Sequence, residues 1–284
     1  VAERANQCHI RCSVDTKNKI ISVRNEMGTD PKYVWYVPED NLPDNVDGRD
    51  PNLYYSSDFT RDRTVFVKQV AIEGNGIDIV LMGDGFSDRL IADGTYDDAI
   101  DNVIDAIFSE EPFKSFKDLF NIYVVYAVSE NEVIGKNTSF MSYDSRSSWA
   151  GSIGAYDTSK IWAYANLASE KGDFREVIPV VILNSSTSDG AVWTTTFHSG
   201  VNDYYLDPVW DDYHGGESIA YISGPFTSDI SYTAIHEMGH AFGKLADEYV
   251  SGYGTIDQDV LDMWAPLCIY GMYKNIDFTG DSNS

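Results

Sequence analysis

Three apolar runs constrain the fold of this chain more than any other feature. "GIDIVLM" (76–82), "FNIYVVYAV" (120–128) and "VIPVVIL" (177–183) are short, rich in Val and Ile, and lack the strict alternation of a strand wet on one face. They read as buried strands. Between the first two lies "YDDAIDNVIDAIFSE" (96–110), with Ile100, Val103, Ile104 and Ile107 at helical spacing and acids on the other side. The Ser-, Gly- and Tyr-rich stretch 129–176 holds one more helical run, "TSKIWAYANLASEKG". Strand, helix, strand, helix, strand is the alternation of an α/β domain.

Upstream the texture differs. "KIISVRNEM" and "YVWYVPED" read as short strands, and "NLPDNVDGRDPN" (41–52) as a turn-rich boundary region. The expected organisation is a small β-rich module over 1–65, of no assigned role, and a larger domain over 66–284. A hydrophobic content of 43% supports a packed core. The charge is lopsided, 20 basic against 45 acidic side chains for a net −25. Such a field repels phosphate backbones and anionic membrane surfaces, so nucleic-acid and membrane-surface roles are excluded as expectations. No stretch has the roughly 18 apolar residues of a membrane span. The chain opens on VAERANQ, without an initiator Met or a signal peptide, and is expected to be a processed or trimmed product. Three cysteines, Cys8, Cys12 and Cys268, give no disulfide framework; a Cys8–Cys12 pair and three thiols remain open alternatives.

The chemistry concentrates in "TSDISYTAIHEMGHAFGKLADEY" (227–249). Thr227, Ser228 or Asp229 can cap a helix there, and Gly243 is placed to end it in a left-handed conformation. On that helix His236 and His240 are four residues apart and project from one face. Two imidazoles on one face suit Zn²⁺, with Glu237 one step round as general base towards a zinc-activated water. With only five histidines in the chain, an accidental HExxH is improbable.

A catalytic zinc needs a third protein ligand. In the long zinc-protease motif HExxHxxGxxH it falls three residues after the glycine, which is Ala246 here. Asp247 and Glu248 follow at once. Asp247 is the preferred third ligand, a hard oxygen donor displaced by one residue, and the other acid would hold the turn or orient a ligand histidine. Asp84, His198 and His214 are secondary candidates, each read first as structural, and Tyr249, one of 19 tyrosines, is placed to approach the zinc side of the turn. "DPVWDDYHGGE" carries acids but no EF-hand pattern.

HEMGHAFGKLADEY, together with IDIVLMGDGF, EPFKSFKDLFNIYVV and VIPVVILN, resembles the IgA-peptidase family of secreted bacterial zinc metallopeptidases, over roughly 66–284. The resemblance implies a metzincin-like zincin catalytic domain, a mixed twisted α/β sheet with an active-site helix. It implies a zinc-dependent endopeptidase acting on protein or glycoprotein substrates, secreted, periplasmic or at the cell surface. By position it makes His236 and His240 zinc ligands, Glu237 the general base and Asp247 the third ligand. Metzincin-like domains also place a methionine turn beneath the metal. Only Met263 and Met272 follow the motif; Met272 is read as an ordinary core or loop residue, and NIDFTGDSNS resembles the loop that precedes the turn. The chain is therefore expected to stop short of the domain's C-terminal part. The competing expectation is a non-enzymatic surface protein that binds glycan or glycoprotein through aromatic loops and carries a relict zinc site.

Overall fold

The computed structural model describes residues 10–15, 20–25, 33–36, 52–135, 138–140, 142–144, 153–155, 157–169, 171, 177–187, 189–195, 217–245, 265 and 273–276. The chain divides into two compact units, Val1–Leu53 and Tyr54–Ser284. In the first, strands β1 (Ile10–Asp15), β2 (Ile20–Asn25) and β3 (Tyr33–Tyr36) form an antiparallel sheet in that order, with Ile10 opposite Asn25 and Ile20 opposite Tyr36.

The second unit is built on a six-stranded mixed sheet. Its strands are β4 (Val65–Gln69), β5 (Ile77–Asp84), β6 (Phe120–Val125), β9 (Val177–Leu183), β10 (Asp189–Thr195) and β11 (Glu217–Ser223), and its spatial order is β10-β11-β9-β5-β6-β4. β5, β6, β9 and β11 run parallel, whereas the two edge strands β4 and β10 are antiparallel to their neighbours. The short strands β7 (Ser142–Asp144) and β8 (Ile153–Ala155) pair separately. Pro179 lies inside β9 without breaking it, because the ladder to β11 begins only at Val180.

The strand alternation explains the layers. Ile79, Leu81, Ile122, Val124, Val180 and Ile222 pack on one face against helices α2 (Thr95–Ile107) and α5 (Ile230–Ala241). Val80, Met82, Val125, Val181 and Tyr221 pack on the other against α4 (Thr158–Ala168). Covering on both faces is why the three apolar runs lack alternation. Tyr96 of α2 fastens helix to sheet: its buried hydroxyl accepts from Gly83 N at 2.9 Å and donates to Val125 O at 2.9 Å. Gly83 leaves room for it, since a Cβ there would lie 2.6 Å from the Tyr96 ring. Helices α1 (Asp88–Ala92) and α3 (Phe113–Phe116) and a 3-10 turn (Lys117–Leu119) complete the elements of this unit among the described residues. None of the described helices is long and apolar enough to cross a membrane.

The second unit begins at Tyr54, so residues 54–65, which composition grouped with the N-terminal module, lie with the larger sheet. Asp88 is one reason. Its carboxylate accepts from Tyr54 Oη (2.6 Å), Ser57 N (2.9 Å) and Asp58 N (2.8 Å). Burial pushes this carboxyl up, but the hydrogen bonds from Tyr54 and from the N–H groups of Ser57, Asp58 and Arg89 outweigh it and hold the group at about 2. A depressed folded value stabilises the fold above the ordinary 3.8, and this contribution fades as pH falls towards 2. Asp88→Asn should therefore flatten the fall in denaturation midpoint between about pH 4 and pH 2 relative to the unchanged chain. Equal slopes in urea titrations of the two proteins would contradict this anchor.

Candidate metal centre

Helix α5 follows β11 and packs against β10, β11 and α2. Its buried residues Thr233, Ala234, Glu237, Met238 and Ala241 recur at helical spacing and face the sheet. Tyr232, His236 and His240, four residues apart in succession, form the adjacent row on the outer side. Asp229 occupies the N-cap position but makes no capping hydrogen bond with its side chain. Thr227 Oγ1 instead donates to Gly224 O at 2.8 Å, and Ser228 Oγ to Asp229 Oδ1 at 3.1 Å.

The end of the helix differs from the sequence expectation. Gly243 is not left-handed; that conformation belongs to Lys244, at φ 53°. Lys244 N donates to His240 O at 3.1 Å and Leu245 N to Gly239 O at 3.3 Å, so the left-handed residue closes the helix as a glycine usually does. Gly243 is required for space: a Cβ there would lie 2.8 Å from Gly239 O. The Lys244 ammonium folds back to donate to Ala241 O at 2.7 Å and to Ser218 Oγ of β11. Burial pushes that ammonium down to about 8.

This closure brings the Leu245 carbonyl to His240 Nδ1, at 2.6 Å. A carbonyl oxygen only accepts, so Nδ1 carries the hydrogen and, in the neutral ring, Nε2 carries the lone pair. His236 Nε2 and His240 Nε2 converge to 3.0 Å, with ring centroids 4.5 Å apart and planes at 89°. Two nitrogens bound tetrahedrally to one zinc at about 2.0–2.1 Å would stand roughly 3.3 Å apart, so the pair fits such an ion closely. The carbonyl behind His240 is the kind of partner that fixes a metal-binding tautomer. Tyr232 stacks on the His236 ring, with centroids 6.0 Å apart and planes at 14°. Extending the histidine spacing back by four would have found it; nothing in the sequence pointed to the Leu245 carbonyl.

Glu237 is buried, 5% exposed, and its carboxylate rests against Gly190 of β10. Among the described residues no third His, Cys, Asp or Glu joins the histidine pair. The preferred third ligand Asp247, its alternative Glu248, and Tyr249, His198, His214, Met263 and Met272 lie outside the described residues, as do the side chains of Cys8, Cys12 and Cys268. Asp84 is fully buried and serves the fold. Its carboxylate accepts from Thr138 Oγ1 (2.9 Å), Phe140 N (3.1 Å) and Ser142 N (2.9 Å), partners distant in sequence and not those of a local turn.

One helix thus carries a buried carboxylate, Glu237, and two converging imidazoles, His236 and His240. Residues 66–266 match the IgA Peptidase M64 family. The chain belongs to this family. Membership covers most of the second unit, including β4 to β11 and α5, and makes the domain a peptidase domain. No curated protein sequence matches the chain.

The helix end gives a paired test. Gly239→Ala adds a Cβ that meets only Leu245 Cδ1, at 3.7 Å, and should stabilise the helix by about 0.5–1 kcal/mol. Gly243→Ala drives a Cβ onto a backbone carbonyl and should destabilise by about 1–3 kcal/mol. Thermal denaturation reads both; the opposite order would refute the close approach of 239 and 243.

Proposed function

We propose that the chain is a secreted or cell-surface zinc-dependent endopeptidase, acting on protein or glycoprotein substrates through a metzincin-like catalytic domain over residues 66–284. The observation that carries this reading is the convergence of His236 and His240 Nε2 at 3.0 Å, with the His240 tautomer set by Leu245 O. Family membership limits the reaction to peptide hydrolysis, and the single antiparallel strand beside β11 supports the zincin reading of the sheet.

In this reading His236, His240 and Asp247 hold the zinc. When bound, the metal would acidify a water and polarise the scissile carbonyl. The other roles belong to the chain. Glu237 accepts a proton from the attacking water and returns it to the leaving amine, a task suited to a carboxylate shielded from bulk solvent. The Leu245 carbonyl and the Tyr232 ring fix the orientations of the two imidazoles. Residues 1–65 are left without a role.

Glu237→Gln preserves volume and removes the base. It should keep one zinc per chain and lower kcat on a denatured protein such as casein by roughly 10²–10⁴-fold. Hydrolysis at the unchanged rate would overturn the assigned mechanism. Asp247→Ala should lower zinc occupancy more than Glu248→Ala, as read by elemental analysis after dialysis. The reverse order would move the third ligand to Glu248.

A further inference from the structure

We propose that Gly190 is a positioning residue for Glu237, fixing where its carboxylate stands; this rests on the reading of Glu237 as the general base. Among the described residues β10 is an edge strand paired with β11, and Gly190 lies opposite Ile222 in that ladder. A glycine inside a strand weakens it unless something requires close approach. Backbone conformation is not the reason, because Gly190 does not adopt a left-handed φ.

Space is the reason. A Cβ at position 190 would lie 2.4 Å from Glu237 Cγ, 2.5 Å from Oε1 and 2.6 Å from Cδ. The three nearest atoms all belong to one side chain, and they reach its carboxylate end. The end of the Glu237 side chain therefore occupies the volume that any side chain at 190 would take. Glu237 is 5% exposed, so it has little room to withdraw. Adding a methyl group leaves the strand and helix intact and rotates the carboxylate away from its place. A displacement of about 1 Å at a reacting group costs roughly 10²-fold in rate.

The test is a double-mutant cycle in the full chain: unchanged, Gly190→Ala, Glu237→Ala and both together. Gly190→Ala should lower Tm by roughly 3–8 °C when Glu237 is present. It should change Tm by less than about 1 °C when Glu237→Ala has removed the atoms it strikes. With casein as substrate, Gly190→Ala alone should keep zinc content and KM while kcat falls roughly 10²-fold. The same Tm shift in both backgrounds would overturn the proposal, as would a kcat within about threefold of the unchanged chain. Failure of the unchanged, zinc-loaded chain to cleave any protein would sink the peptidase reading instead, whereas the Tm cycle decides the Gly190 contact with or without activity.

Discussion

The hydrogen bond from His240 Nδ1 to the Leu245 carbonyl, 2.6 Å long, ties one of the two converging imidazoles to the closure of its own helix. It exists only because the chain reverses within five residues of His240. That reversal depends on Lys244 accepting a left-handed φ and on Gly243 letting the turn pass 2.8 Å from Gly239 O at its would-be Cβ. The residues after the helix therefore set the tautomer of a residue within it.

The sheet supplies the rigidity behind this. α5 rests its buried row on β10 and β11, whose strands are continuous with the core through β9 and β5. The histidine row faces outward from that platform, while Glu237, one residue further round, turns inward to the edge strand. The imidazoles are partly buried and the carboxylate is buried. Helical geometry of about 100° per residue makes adjacent positions 236 and 237 able to differ in this way.

Much of this was legible in the sequence, and the limits have physical causes. β5, β6 and β9 announce themselves because burial on both faces demands unbroken apolar runs; α2 shows the one-sided pattern of a surface helix. β4 and β10 escape, since edge strands meet fewer neighbours and carry mixed composition, as in "VFVKQ" and "DGAVWTT". The HExxH spacing translates directly into convergent nitrogens because i and i+4 share a face. Gly243 was legible as a helix end but not as a contact, because a glycine in sequence does not say whether it serves dihedral freedom or space. The structural reading of Asp84 held, but its partners at 138–142 were not legible, since the fold brings them to it. Gly190 had no sequence signal at all, since its meaning comes from the residue across from it.

The claim on which the rest turns is that His236 and His240 share one metal ion. X-ray absorption at the zinc edge of the purified, zinc-loaded chain measures this directly. The account predicts two imidazole nitrogens in a shell of nitrogen and oxygen donors at about 2.0–2.2 Å, and the loss of one imidazole on His236→Ala or His240→Ala. A sulfur shell near 2.3 Å, or a spectrum unchanged by either substitution, would contradict it.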